Sequence, residues 1–163
     1  MSNIKKQIKR WLIFFMFALM ISGLTAIPVE KELSFLLKMS EDYGAVNQWL
    51  QRVYDGFQER NGQYPFLFYG YDWLAFAHFV LALLFIGPLL DPVKNKWVIE
   101  FGMIACVWII PFAMVAGYCR GIPYWWRLID CSFGIIGLLP LIIIYKKTIL
   151  LEKLQAKTEI YED

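Results

Sequence analysis

An all-α bundle of four membrane-spanning helices is the fold class this sequence predicts, and three observations carry it. The chain of 163 residues is 59% hydrophobic and 18% aromatic, too apolar for an ordinary soluble domain of that size. Four segments are long enough to cross a hydrocarbon core, which takes about 20 mostly apolar residues in a helix. Lys and Arg gather at alternate ends of these segments, the asymmetry that fixes orientation in a membrane.

The first span is expected over residues 11–29, from Trp11 to Val29. Lys5, Lys6, Lys9 and Arg10 ahead of it, with Ser22, Gly23, Thr25 and Ala26 near its end, also describe a secretory signal; the reading taken is an uncleaved anchor. Residues 30–69 follow as a long connection with its own periodicity. Tyr43, Val46, Trp49, Leu50, Val53, Tyr54 and Phe57 recur at spacings of three and four, with Asn47, Gln48, Gln51, Arg52 and Asp55 on the other face. That pattern predicts an amphipathic helix lying on the outer membrane surface or capping the bundle. Leu33, Leu36 and Leu37 suggest a helical turn or two before it, and Asn61 with Gly62 a turn after it.

The remaining spans are expected over residues 70–90, 97–117 and 128–145, with a tail over 146–163. Lys94 and Lys96 lie between the second and third spans, and Lys146 and Lys147 follow the fourth. With the basic amino terminus, these predict that both termini are cytoplasmic and that the amphipathic helix is extracytoplasmic. The setting implied is the inner (cytoplasmic) membrane of a bacterium, with one multi-pass integral membrane domain.

A net charge of +2 with no basic cluster beyond the span flanks gives no nucleic-acid surface. The predicted partners are membrane lipids, with a homo-oligomer or subunits of an envelope complex as further candidates. A single histidine rules out a two-His zinc motif or bis-histidine haem within the chain. No phosphate-cradling glycine loop, Cys-x-x-Cys pair or Gly-x-Ser-x-Gly elbow occurs, so no cofactor or metal is predicted. Cys119 and Cys131 both fall near the outer face, where a disulfide is chemically permitted.

Ionisable residues in spans are costly and hence candidate functional groups. Asp72, His78, Arg127 and Asp130 stand at or just inside the mouths of the second and fourth spans. Asp72 and His78 point about 120° apart on a regular helix and differ by about 9 Å in depth, so they form no ready-made dyad. Arg127 and Asp130 can pair on one helix surface, and Asp130, Gly134 and Gly137 form a stripe that admits another helix closely. Glu100, on the cytoplasmic side, can pair with Lys96. Two readings follow. In one, the protein is a non-catalytic envelope accessory or amphiphile binder, with Arg120, Arg127, Tyr71, Trp125 and Trp126 as ligand contacts. In the other, it is an enzyme acting on a lipid or lipid-linked substrate at the outer leaflet, with His78 as acid/base and Asp72 and Asp130 as orienting carboxylates.

The runs DWLAFAHF (residues 72–79) and RLIDCSFGIIG (residues 127–137) resemble the two signature regions of the bacterial VanZ-like family of small membrane proteins. The Asp-to-His spacing here is longer than the family's, and Gly134 stands where the family tends to have Asn. The resemblance implies a role in the cell envelope, without implying a chemistry.

Overall fold

The computed structural model describes residues 1–162, with side chains described over 1–158. The described chain is helical almost throughout. Its elements are α1 (Ser2–Thr25), α2 (Val29–Met39), α3 (Gly44–Gln63), a 3-10 turn (Pro65–Phe68), α4 (Tyr69–Leu84), α5 (Ile86–Leu90), α6 (Lys96–Cys119) and α7 (Tyr124–Glu162). Four helical stretches are long and apolar enough to cross a membrane: Ser2–Thr25, Pro65–Leu90, Lys96–Cys119 and Tyr124–Thr158.

The ends of these helices have local causes. α1 reaches back to Ser2 because Lys, Gln and Arg are good helix formers. It stops at Thr25, short of the expected Val29, since Pro28 disfavours helical geometry at the residue before it. Between α4 and α5 the helix breaks at Phe85. Pro88 has no N–H to return to the Leu84 carbonyl four residues earlier, so the ladder is interrupted there. α7 continues through the segment expected as a tail, and its 39 residues make a rod of about 58 Å, nearly twice the thickness of a hydrocarbon core.

The chain divides into two compact units, Met1–Phe17 with Ala82–Asp163, and Ala18–Leu81. The larger is organised on the α6–α7 hairpin. Gly121, at φ +67°, ends α6 in a Schellman turn: Ile122 N–H donates to Gly117 O at 2.9 Å and Gly121 N–H to Tyr118 O at 3.1 Å. Both bonds satisfy carbonyls that the last helical turn would otherwise leave open, and the left-handed position suits glycine. A Cβ on Gly134 would collide with the Cys106 carbonyl oxygen, and one on Gly137 would meet Cys106 Sγ at 3.2 Å. The glycine stripe of α7 therefore receives α6, whose own Gly102 lies against Phe85 and Leu141. At the other end of the hairpin, Lys96 Nζ bonds both carboxylate oxygens of Glu152, at 3.0 and 2.8 Å. Lys96 thus finds its ion pair across the hairpin rather than one turn along its own helix at Glu100.

In the smaller unit α2 and α3 fold back on each other. α2 is three turns long, more than the turn or two expected, and α3 runs through Asn61 and Gly62 to Gln63. The anticipated turn at Asn61-Gly62 is thus the last turn of a helix, and the chain bends at Tyr64-Pro65 instead. Gln48, Gln51, Arg52 and Asp55 are exposed while Leu50 is buried, as the amphipathic pattern requires. Two residues depart from it. Asn47 turns inward, its amide donating to Leu37 O at 3.2 Å and Ser40 Oγ at 3.1 Å, which satisfies open groups at the end of α2. Tyr43 stands exposed at the helix start. At the far end of the pair, Gln58 donates to Glu30 Oε1 at 2.6 Å.

Candidate functional site

The α2–α3 fold-back, the 3-10 turn and the start of α4 enclose a cleft of about 650 Å³ within the smaller unit. One wall is aromatic. The Phe57 and Phe68 rings pack with centroids 4.6 Å apart, and Phe68 stacks on Tyr71 at 5.9 Å. Charged groups come from two places: Glu30 and Lys31 at the start of α2, and Asp72 in the first turn of α4. Glu30 is held by Gln58. Lys31 and Asp72 are exposed, and neither has a hydrogen bond or ion pair among the described residues. Asp72 also borders a smaller recess with Tyr69, Trp73 and Phe76. Phe66, which likewise lines the cleft, is 69% exposed, so much of the apolar surface here is open to a ligand.

His78 is about one and two-thirds turns further along α4 and is not among the residues lining the cleft. Its Nδ1 lies 2.7 Å from Leu74 O. With the proton on that nitrogen, the bond orients the ring and leaves Nε2 as acceptor. A Cβ added at Gly23 of α1 would sit 2.8 Å from His78 Cβ and 3.0 Å from Ala75 O. The histidine therefore stands where the second half of α1 comes close to α4. Gly23, read from sequence as a small residue near a cleavage site, serves here to admit α4.

Arg127 and Asp130 belong to the larger unit and do not pair with each other. The Arg127 stem lies over Gly117, where an added Cβ would be 2.5 Å from Cδ. Its Nη1 donates to Met114 O at 3.3 Å, and its guanidinium carbon is 5.3 Å from the Tyr124 ring centroid. Arg127 Nε is buried without a partner among the described residues. These contacts tie the start of α7 to the end of α6. Asp130 is half-buried and has no hydrogen bond or ion pair among the described residues. Trp125 and Trp126 pack edge to face at 5.5 Å, and Arg120 is the exposed residue that caps α6. The three cysteines are free, Cys106 and Cys131 buried and Cys119 exposed.

Of the predicted contacts, then, Asp72 and Tyr71 meet in one cleft. Glu30, Lys31 and Phe57 join them from a segment read as a surface cap, because sequence periodicity reports which face is apolar but not that the segment folds back. No group of three or more His, Cys, Asp or Glu side chains suited to a metal ion occurs among the described residues. Compared with protein families, curated proteins and solved structures, the chain matches none.

Proposed function

We propose that this chain is a non-catalytic multi-pass membrane protein that binds an amphiphile with a zwitterionic, ammonium-bearing head. The observation that carries the reading is a carboxylate, Asp72, and a cation, Lys31, both unpaired among the described residues, in one cleft with an aromatic wall. An ammonium group is attracted both by a carboxylate and by aromatic faces, while Lys31 offers a partner to the anionic half of the same head. The exposed rings of Phe66 and Tyr69 would lie along an acyl chain. By the distribution of Lys and Arg, both termini are cytoplasmic and the cleft opens on the outer side. A bacterial inner membrane and a role in the envelope accord with the VanZ-like resemblance of the two polar runs.

The test is headgroup dependence in the full-length protein. Dodecylphosphocholine is predicted to bind more tightly than dodecyl maltoside, which has the same chain and no charge. Asp72→Asn is predicted to weaken the former by about three- to tenfold, the range for one charge-assisted contact, and to leave the latter unchanged. Equal affinities for the two amphiphiles, or an Asp72→Asn variant that binds both as the wild type does, would contradict the reading.

A further inference from the structure

A second groove lies in the larger unit, between the first half of α1 and α7. It has a volume of about 660 Å³ and is lined by Gln7, Arg10, Trp11, Phe14, Ile143 and Lys147. Its chemistry is graded. Arg10, Lys147 and Gln7 form one end, and among the described residues no carboxylate lines it. Phe14 and Ile143 lie one helical turn further in on their respective helices, about 6 Å deeper, and Trp11 stands between. Lys147 Nζ donates to Gln7 Oε1 at 2.5 Å, which fixes the ammonium at the mouth. Arg10 is exposed and has no hydrogen bond or ion pair among the described residues. Phe14 is 55% exposed, so the apolar wall is uncovered.

We infer that this groove is a site for one anionic phospholipid, its phosphate held between Arg10 and Lys147 and an acyl chain laid against Trp11, Phe14 and Ile143. Charge complementarity selects the occupant. Two cations without a local carboxylate favour a net negative head, and a guanidinium beside an ammonium matches phosphate oxygens. The apolar wall below them selects a lipid over a free phosphate ion. Indole rings favour this boundary between headgroup and hydrocarbon. The site is independent of the cleft at Asp72, since it shares no residue with it.

The experiment titrates full-length protein in detergent with dioleoylphosphatidylglycerol and, separately, dioleoylphosphatidylcholine, bound lipid being counted by native mass spectrometry. Affinity for the anionic lipid is expected to fall about thirtyfold in Arg10→Gln/Lys147→Gln, as loss of two headgroup cations implies. Phosphatidylcholine, whose ammonium offsets its phosphate, is expected to lose less than the anionic lipid in the same variant. Lys38→Gln/Lys153→Gln removes the same charge elsewhere and is expected to bind phosphatidylglycerol as the wild type does. Ile143→Trp fills the apolar wall, keeps both cations, and should also lose the anionic lipid; it serves in place of the double variant if that one does not fold. Retention of wild-type phosphatidylglycerol affinity by the folded groove variants, or an equal loss in the Lys38/Lys153 control, overturns the assignment.

Discussion

At the scale of single residues, the polar side chains divide by whether their bonds are already made. Arg127 commits Nη1 to the Met114 carbonyl and its guanidinium face to the Tyr124 ring, with Nε buried beneath, and Asn47 spends its amide on the end of α2. Asp72 and Lys31 spend nothing among the described residues, which is why they, and not the arginine, are the ligand contacts proposed. Glu32 in α2 is a different case. Burial raises its carboxyl pKa above the ordinary value, because desolvation disfavours the charged form. A raised folded-state pKa contributes stability that is fully present below the unfolded value and lost as pH rises through the folded one. Glu32→Gln is therefore expected to flatten that dependence and to leave the protein slightly more stable at neutral pH, by less than about 0.5 kcal/mol for so exposed a site. Thermal unfolding of both forms between pH 4 and pH 8 checks this, and a larger stability loss in the variant at pH 7 than at pH 4 contradicts it.

At the scale of elements, hydropathy made the four apolar helices legible, because a membrane-length apolar run has few other uses. It also made visible the inward face of α3 and the close-packing stripe of Gly134 and Gly137. The partner of that stripe was not legible: glycine spacing marks a face that admits a helix, and α6 takes the place for which α4 was equally eligible. The helix continuing through Asn61 and Gly62 was hidden as well, since turn-forming residues at a helix end resemble those just past it. The cleft was half legible for the same reason. Asp72 and Tyr71 stand out beside a span, whereas Glu30 and Lys31 matter only once α2 and α3 have folded together. The stripe carries its own prediction. Gly134→Val drives side-chain atoms into the Cys106 carbonyl and should destabilise the α6–α7 hairpin by about 1–3 kcal/mol. Ile135→Val, at a neighbouring exposed position, should change little. Unfolding midpoints in detergent separate the two, and equal midpoints would mean that the helices do not approach as closely as described.

At the scale of the whole molecule, four membrane-length helical stretches carry two compact units with different chemistry. The Ala18–Leu81 unit holds the aromatic cleft with its mixed charges, and the other unit holds a groove on α1 and α7 with a basic mouth and an apolar wall. On the function proposed, each of these two pockets receives an amphiphile. The most direct measurement of that central claim is photo-crosslinking of full-length protein with a phosphocholine amphiphile carrying a diazirine in its chain, followed by peptide mapping. Labels are predicted on Phe57, Phe66, Phe68 or Tyr71, and they should be lost when unmodified dodecylphosphocholine is added in excess. Labelling spread evenly over the apolar surfaces of α1, α4, α6 and α7, with no competition, would show that the cleft is not a binding site.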